Sequence, residues 1–396
     1  MPAFTNLTRS FTNVKRMVDE LSQGISGQDL PNAIGLLTCF SEIDFEELVS
    51  GLADTLNFPV VGGTTWASPF APREDEVSAS LTVLYGEDIR HSINVSAPLE
   101  RGGNMHNQMS ELYDGCLDRL DGPPKMFLIF IPLAHDMDMS HPYLPCLFEL
   151  AQDVPVFGGM VSEDFGTGRA AVLAEGRAYN QSAALVAFSG DINPVFAVGS
   201  ELDTKSVYAP VVTKAENNIV YKVDDMTFCD YLESLNFVPD DSKVHMDWMV
   251  SAILEGKSSK IDGRPDICEL SYVRTADGSA AFSTTIPVGV KIRLGALTKN
   301  NVLKSAEMAM KEINQKVEAQ KEEGAKHNVF LAISCLSRYY AQVGDDNLEG
   351  EQLKALAPEG LPTFGFYAFK EICPTLNRKN KTFNRTHNES LALCVL

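Results

Sequence analysis

The chain has 396 residues and a net charge of −20, with 44% hydrophobic and 22% charged residues, as expected of a globular protein with more than one hydrophobic core. The acidic excess disfavours binding to nucleic acid and to anionic membranes, which requires an excess of Lys and Arg. No apolar run is long enough to span a membrane, and residues 1–23 lack the apolar core of a signal peptide.

The eight cysteines are scattered along the chain, and no pair has the CxxC spacing of a zinc or redox site. In a chain of this length, scattered cysteines are typical of reduced thiols in a cytoplasmic protein. We therefore expect a cytoplasmic protein with neither a zinc site nor a covalently attached c-type haem.

Three segments resemble one another around a glycine: FPVVGGTT at 58–65, VPVFGGMV at 154–161 and the weaker LPTFGFYA at 361–368. An apolar run that indicates a buried strand precedes each of them, at 33–40, 126–133 and 329–336. A helix candidate lies between that run and the glycine, and another strand-like run follows the glycine. An amphipathic helix precedes each unit and is clearest at 11–21 and 302–317.

These patterns predict helix–strand–helix–strand–strand units near residues 11–95, 103–200 and 300–396. The interval 201–299 has about the length of a fourth unit, with a helix candidate and strand candidates but no clear copy of the repeat. We therefore expect a mixed α/β (α+β) fold of layered sheets flanked by helices, built from about four pseudo-repeated units.

The paired glycines Gly62–Gly63 and Gly158–Gly159 are expected at strand ends, where the chain turns and its backbone approaches another segment. They fit neither the P-loop pattern nor GxGxxG followed by a helix. Strand ends in layered α/β architectures are also where ligand pockets open. The sequence therefore predicts a structural turn that also forms the rim of a pocket.

The motifs PVVGGTT, PVFGGMVSED, ALVAFSGDINPVFAVGSEL, VTKAENNIVYKVDD, SCLSR, GFYAFKEICP and FNRTHNESLALCVL occur between about residues 33 and 396. This series resembles the FIST domain family, in which a FIST N-terminal domain precedes a FIST C-terminal domain. With this resemblance, we expect an N-terminal helix at 1–30, a FIST N-terminal domain at 31–222 and a FIST C-terminal domain at 223–396. Residues 1–30 resemble no appended signalling domain, so a stand-alone FIST unit is expected.

The resemblance implies an intracellular sensory protein that binds a small ligand, with amino acids as the suggested class, and that is not an enzyme. The implied partners are histidine kinases, cyclic-dinucleotide enzymes and chemoreceptors. A subset of the family binds haem and senses nitric oxide, so haem is the alternative to a protein without a cofactor. The chain departs from the family pattern at Gly63, at Lys370 before Glu371, and at Asn388-Glu389-Ser390.

Arg338 and Glu371 are the candidate contacts for an amino acid, because a guanidinium group binds a carboxylate and a carboxylate binds an ammonium group. The alternative is that these two side chains pair with each other. Tyr367 either packs against the ligand and offers its hydroxyl, or it is a core aromatic residue.

The other candidate ligand-binding residues lie at or beside the predicted strand ends. They are Gly62, Gly63, Thr64, Thr65, Gly158, Gly159, Ser162, Asp164, Cys335, Gly365, Asn388 and Ser390. For the Thr, Ser and Asp residues that follow the glycine pairs, turn capping is the structural alternative.

The segment AHDMDMSHP at 134–142 has the most unusual composition in the chain. His135 and His141 are weak candidates for haem or metal ligation, and a solvated loop is the alternative. His387 is a third weak haem candidate because it lies in a family motif. The spacing fits no standard zinc pattern, so no metal site is assigned.

Signatures of catalysis are absent from the sequence, which contains neither GxSxG nor HExxH. A hydrolase-like enzyme that uses the glycine-lined cleft, with Cys335 as its nucleophile, is one alternative to the sensor. A scaffold that binds only other proteins is another.

Overall fold

The computed structural model describes residues 2–67, 69–70, 77–99, 104–133, 143–163, 167–204, 208–239, 241, 250–255, 257–342 and 348–396. The helices are α1 (Val14–Leu21), α2 (Phe45–Thr55), α3 (Met105–Leu117), α4 (Leu144–Ala151), α5 (Phe228–Ser234), α6 (Lys257–Asp262), α7 (Lys299–Glu322), α8 (Leu336–Tyr340) and α9 (Leu348–Leu356).

The first thirteen strands are β1 (Ala3–Thr8), β2 (Ile34–Phe40), β3 (Val60–Thr65), β4 (Ala79–Leu84), β5 (Ile89–Val95), β6 (Met126–Ile131), β7 (Val156–Met160), β8 (Val172–Ala174), β9 (Arg177–Tyr179), β10 (Ala184–Gly190), β11 (Val195–Gly199), β12 (Asp203–Thr204) and β13 (Val212–Glu216). They are followed by β14 (Ile219–Val223), β15 (Met226–Thr227), β16 (Val250–Leu254), β17 (Asp266–Arg274), β18 (Ser279–Phe282), β19 (Ile292–Ala296), β20 (Phe330–Cys335), β21 (Thr363–Ala368), β22 (Lys370–Ile372), β23 (Thr375–Leu376), β24 (Thr382–Phe383), β25 (Thr386–His387) and β26 (Leu391–Val395).

Three units of the chain share one sheet topology. Their strand orders are β1-β4-β2-β3, β5-β10-β6-β7 and β11-β26-β20-β21. In each unit the last two strands of this order, which flank a helical connection, pair in parallel, and the remaining pairs are antiparallel. A parallel pair requires such a crossover connection, which α2, α4 and the α8–α9 segment supply. The repeats predicted from the glycine motifs are therefore three copies of one fold unit.

The sheets of these three units pack around one central core, and helices cover their outer faces. Side chains alternate along each strand, so that Leu128 and Phe130 of β6 face the centre while Phe127 and Ile129 face α3 and α4. The same alternation occurs in β2 and β20. The predicted α+β fold of layered sheets flanked by helices is confirmed.

The described residues between 201 and 298 form a further unit, the inserted unit, between β11 and α7 of the third unit. Its strands begin in the same order as the other units, β12-β19-β16-β17, but β17 runs antiparallel to β16. The hairpin β13–β14 then extends the sheet beyond β18. The fourth unit thus keeps the strand order of the repeat without its parallel pair.

The glycines of the repeat lie inside strands, which corrects the prediction that the chain turns there. A Cβ atom on Gly62 would lie 1.7 Å from the carbonyl oxygen of Leu37 in the parallel neighbour, and one on Gly158 would lie 1.9 Å from that of Ile129. Gly365 has the same place in the third unit, and a Cβ atom on it would lie 2.4 Å from the carbonyl oxygen of Ala332. These glycines are required because the neighbouring strand leaves no space for a side chain.

Candidate functional site

The three glycine-containing strands end at a shared place, the strand junction, formed by Thr64, Thr65, Ser162 and Tyr367. The Tyr367 amide donates to Thr65 Oγ1 (3.1 Å), and the Ser162 hydroxyl donates to the carbonyl oxygen of Tyr367. The Thr64 hydroxyl donates to the carbonyl oxygen of Ser162 (3.0 Å). All four residues are buried. The structure brings these predicted residues together and uses their polar groups to join the three units, while their part in ligand binding stays a prediction.

Arg338 lies in α8, the short helix that follows β20, and its side chain is fully buried. Its Nε and Nη2 atoms donate to Oε1 of Glu349 (2.9 and 2.5 Å). Its Nη1 donates to Ser305 Oγ (2.9 Å), and Nη2 also donates to the carbonyl oxygen of Val302 (2.9 Å). The ion pair that forms is Arg338–Glu349 and not the Arg338–Glu371 pair considered from the sequence.

Tyr367 lies beside the same ion pair. Its hydroxyl donates to Glu349 Oε2 (3.4 Å), and its ring packs edge-on against Tyr339 with centroids 5.3 Å apart. Burial raises the pKa of Tyr367 well above its usual range. Contacts within the protein thus position Arg338 and Tyr367. Their predicted contact with a ligand stays a prediction.

Three fully or nearly fully buried carboxyl groups surround Cys335 and form what we call the carboxyl cluster. Glu269 belongs to β17 of the inserted unit, while Glu371 and Glu389 lie in the chain segment of the third unit. Glu371 is in β22, which pairs with β7 of the second unit. The Cys335 Sγ lies 4.0 Å from Glu269 Oε1. The cluster therefore lies across the seam between the inserted unit and the third unit.

Each carboxyl group of the cluster accepts a hydrogen bond from a serine hydroxyl. The pairs are Ser283 to Glu269, Ser251 to Glu389 (2.6 Å) and Ser390 to Glu371 (2.7 Å). The bond from Ser251 crosses the seam, since Ser251 lies in β16. These bonds satisfy part of the polarity that burial would otherwise leave without partners.

Burial gives the cluster unusual protonation behaviour. It raises the pKa of Glu371 to about 8, an effect that the hydrogen bond from Ser390 opposes and the charge of Glu269 increases. It also raises the pKa of Glu389 well above its usual range. Glu371 is therefore mostly protonated at neutral pH.

The Cys335 thiol is poorly suited to nucleophilic chemistry. Burial raises its pKa well above the usual value, and the nearby charge of Glu371 raises it further. A nucleophilic cysteine needs the opposite environment, which stabilises the thiolate.

A cavity of about 610 Å³ opens at the seam beside the cluster. The inserted unit supplies one wall, from Leu254, Lys260, Arg264–Cys268 and the 284–290 segment. The third unit supplies the other wall through Lys370 and residues Arg385–Asn388. Its volume is within the range of small-molecule sites in proteins.

Ionic groups fix the wall that the third unit supplies. Arg385 bridges to Asp262 (2.7 Å) and Asp266 (2.6 Å) of the inserted unit, and its side chain is almost fully buried. His387 is buried, with Nε2 2.9 Å from the carbonyl oxygen of Cys373, and burial lowers its pKa to about 3. His387 is therefore neutral at physiological pH, and its Nε2 is engaged by the backbone rather than offered as a haem ligand.

Asn388 lines the cavity, and only one of its two side-chain polar atoms has a hydrogen-bond partner among the described residues. Its Nδ2 donates to the carbonyl oxygen of Ile267, which fixes the orientation of the amide. Its buried Oδ1 accepts no hydrogen bond from any residue that the structure describes. The next residue, Glu389, has φ +51°, a left-handed conformation that is uncommon for a residue with a side chain. Such strain is concentrated at functional sites in proteins.

The predicted site residues thus separate into groups. Cys335, Glu371 and Ser390 meet in the carboxyl cluster, and Asn388 lies in the adjoining cavity wall. The glycines and the strand-junction residues form a different region, in which the observed contacts join strands of the three units. Asp164, His135 and His141 lie outside the described residues, so their predicted roles stay predictions.

Glu269, Glu349, Lys370 and Glu389 are among the site residues that the sequence analysis does not assign to ligand binding. Glu269 is the only charged residue in the run ICELSYV, and Lys370 lies two residues after the end of a glycine-containing strand. A lone charged residue in a buried strand is a usable signal, because such a residue requires a partner. The partner itself cannot be identified from the spacing of one chain.

Comparison with known proteins defines the class of the protein. Residues 33–226 match the FIST N domain, and residues 231–374 match the FIST C domain. The chain therefore belongs to the FIST family, whose domains are small-ligand sensory domains of signal transduction. No curated protein matches it. In the portion of the chain that the structure describes, no helix is long and apolar enough to cross a membrane.

Similar solved structures are distant. A cyanuric acid hydrolase from A. caulinodans has 7% identity and a TM-score of 0.32 over 99% of this chain and 97% of that chain. PurL from T. maritima complexed with AMPPCP has 10% identity and a TM-score of 0.20 over 99% of this chain and 72% of that chain. These scores are too low to support an argument about the present chain.

Proposed function

We propose that this chain is a cytoplasmic sensor that binds a small ligand in the seam cavity and signals to a partner protein. The observation that carries the proposal is the cavity itself, whose walls come from two different units. A histidine kinase, a cyclic-dinucleotide enzyme or a chemoreceptor would be the partner, as the family resemblance suggests.

The signalling mechanism is a shift between two arrangements of the seam. A ligand that contacts both walls stabilises the arrangement in which the distance between the walls allows both contacts. Only a difference in affinity between the two arrangements changes their populations. The surface of the inserted unit then differs between the free and the ligand-bound protein. The partner protein binds one of these two surfaces more tightly than the other.

An amino acid held between Arg338 and Glu371 is not the mode of binding that we favour. Neither residue lines the cavity, and Arg338 is occupied by Glu349. Amino acids therefore enter the test as one class among several, together with organic acids, nucleotides, sugars and haem.

Thermal unfolding of the purified protein with this panel tests the proposal. A ligand that binds only the folded state stabilises it by about 2.7 kcal/mol at a hundredfold excess over Kd. Thr285→Trp, which places an indole at the cavity wall, should abolish the stabilisation. Thr12→Trp, at an exposed position far along the chain, is the matched control and should keep it.

Three results would contradict the proposal. No stabilisation by any compound would leave the interaction scaffold as the better reading. Stabilisation that persists in Thr285→Trp would place the ligand elsewhere. A Soret band after reconstitution with haem, unaffected by Thr285→Trp, would identify a haem sensor, and loss of the band on replacing one His would locate the axial ligand.

A further inference from the structure

The buried region around Cys335 contains more carboxyl groups than cations. Among the described residues there, four carboxyl groups are fully or nearly fully buried: Glu269 of β17, Glu349 of α9, Glu371 of β22 and Glu389 just before β26. The two buried cations are Arg338 of α8 and Lys370 of β22. Even if each cation balances one carboxylate, four ionised carboxyl groups would leave two negative charges in excess. Burying such charges is so costly that the groups bind protons instead.

The remaining neighbours of the cluster do not remove this excess. Arg385 already forms ion pairs with two aspartates of the inserted unit. His387 lies opposite Glu371 in the β22–β25 pair and is neutral, because burial lowers its pKa to about 3. On the other side of Glu371, β7 presents Gly159, which has no side chain. Burial raises the pKa of the Cys335 thiol, so this group is neutral as well.

The hydrogen bonds of the carboxyl cluster suit protonated carboxyl groups as well as ionised ones. Each of the three groups has a serine hydroxyl as its partner, from β16, from the segment after β18 or from the segment before β26. A hydroxyl can both donate and accept a hydrogen bond, so a proton on the carboxyl group does not break the contact. Burial raises the pKa of all three carboxyl groups, in agreement with the charge count.

Polar contacts connect the inserted unit to the third unit. The hydrophobic core of the inserted unit consists of its own side chains, between residues 212 and 294. Across the seam, the Ser251 hydroxyl donates to Glu389 (2.6 Å) and the Thr375 hydroxyl donates to Asp262 (2.9 Å). Two units with separate cores and a polar interface can move against each other without unfolding.

The two chain connections to the inserted unit lie side by side. Asp203 is opposite Ala296 in the antiparallel pair of β12 and β19, so the chain enters and leaves the unit at one place. Asn301, in the first turn of α7, donates to Asp203 (3.0 Å) at the same place. Adjacent connections allow the unit to rotate about them through changes in a few backbone angles, as at a hinge.

The seam cavity reaches the immediate neighbours of the carboxyl cluster. Cys268, Lys370 and Asn388 line it, and each directly precedes one of the three glutamates of the cluster. A small widening of the seam would therefore bring water to the carboxyl groups. Once they are solvated, the cost of ionising them disappears.

We infer that the carboxyl cluster is a proton-binding site that keeps the seam closed while its protons are bound, and that loss of these protons opens the seam by rotation about the two connections. This inference goes beyond the proposed function, because a proton acts here without any ligand in the cavity. The closed seam binds more protons than the open seam, so opening increases as pH rises. Each proton released in full changes the opening equilibrium tenfold per pH unit, which gives about a hundredfold for two protons.

Alkylation of Cys335 by iodoacetamide measures the opening. Cys335 is 2% exposed and lies among the carboxyl groups, so the reagent reaches it when the seam opens. Dividing its rate by the rate for the denatured protein at the same pH removes the effect of thiol ionisation. We expect this ratio to rise about tenfold or more between about pH 6.5 and 7.5.

Cys39 is the internal control for unfolding of the whole protein. It is 1% exposed and lies in the hydrophobic core of the first unit, away from the seam. Its ratio of alkylation rates should stay at least about tenfold below that of Cys335 at each pH, because opening of the seam costs less free energy than global unfolding.

A double variant connects the opening to the carboxyl cluster. Glu371→Gln with Glu389→Gln removes the two negative charges in excess, so the Cys335 ratio should change by only about onefold over the same pH range. Glu351→Gln with Glu359→Gln, both at exposed positions, is the matched control and should keep the rise of about tenfold.

Infrared spectroscopy of the unmodified protein supplies a test that holds even if the double variant fails to fold. A protonated carboxyl group has a C=O stretching band that is separate from the bands of a carboxylate. We expect this band at pH 7, where solvated carboxyl groups are ionised, and its loss as pH rises above about 8.

The outcomes separate this inference from the proposed function. Equal ratios for Cys335 and Cys39, a pH-dependent rise that the double variant keeps, or absence of the protonated band at pH 7 would each overturn the inference. If one of these results accompanies a ligand whose stabilisation Thr285→Trp abolishes, the proposed function stands alone. If the seam opens with pH as expected while no compound of the panel binds, the inference stands and the proposed function fails.

Discussion

The strand junction and the carboxyl cluster are both buried and polar, but they differ in what their polar groups do. At the junction, hydroxyl groups of Thr64, Thr65 and Ser162 bond to backbone groups, and no side chain of these residues is charged. In the cluster, the polar groups are titratable carboxyls that lie beside a cavity. Uncharged polar groups thus join the repeated units to one another, whereas titratable carboxyls lie where the inserted unit meets the third unit.

The largest expected effect comes from the ion pair that lies between these two regions. Arg338→Ala leaves the buried Glu349 without its cation, and we expect a loss of about 3–5 kcal/mol in the free energy of unfolding. Chemical denaturation measures the loss. Arg378→Ala, at an exposed position, should change stability by less than about 0.5 kcal/mol.

A double variant distinguishes the two possible roles of this pair. Arg338→Met with Glu349→Leu removes both charges, so most of the stability should return if the pair is structural. Failure of the double variant to recover stability would indicate that the surrounding hydrogen bonds to Val302 and Ser305 matter more than the charges.

Gly158→Ala tests the close approach between the parallel strands of the repeat. The added Cβ would lie 1.9 Å from the carbonyl oxygen of Ile129, and the residue has φ +149°, so we expect a loss of about 3 kcal/mol. Gly24→Ala, which has φ +76° but open space, should lose only about 1 kcal/mol. Equal losses at the two positions would show that backbone conformation, rather than the close approach, requires the repeat glycine.

The carboxyl cluster should make stability depend on pH, unlike the junction. The pKa of Glu371 is about 8 in the folded protein and 4.5 as the ordinary value. The folded protein therefore binds more protons than the unfolded chain between these values, and the free energy of unfolding falls as pH rises through this window. One linked proton contributes about 1.4 kcal/mol per pH unit.

Glu371→Gln should remove that contribution and flatten the dependence of stability on pH between about 5 and 8. Glu351→Gln, at an exposed position on α9, should leave the slope unchanged. Denaturation at a series of pH values gives both slopes. An unchanged slope in Glu371→Gln would mean that other groups of the cluster, Glu269 and Glu389, carry the linkage.

The sequence predicted the repeated units well because their signals are local. Buried strands such as β6 and β20 appear as apolar runs, and each glycine motif follows at a similar distance. The position of the glycines inside strands was not predictable, because it depends on the carbonyl oxygen of a neighbouring strand such as Leu37 or Ile129. The antiparallel arrangement of β16 and β17 is likewise a tertiary outcome that the periodicity of one segment does not encode.

The candidate site was predictable only in part. Cys335, Glu371, Asn388 and Ser390 were selected through motifs and do lie together at the seam. Arg338 was selected for its charge, but Glu349, which pairs with it, lies in a helix whose carboxylates look alike in sequence. Glu269 reaches the cluster from the inserted unit, and no local pattern predicts that contact. The ligand-binding roles of these residues stay predictions.

The insertion between β11 and α7 also has a consequence for folding kinetics. β11 pairs with β26, so that Val195 lies opposite Val395, two hundred positions further along the chain. Closing so long a loop costs conformational entropy before the contacts between the strands contribute any favourable free energy. Such non-local contacts slow folding. We therefore expect the first two units to form their sheets early and the third sheet to close late. Until then, the edge of β20 that β26 will cover stays open to pairing with other chains.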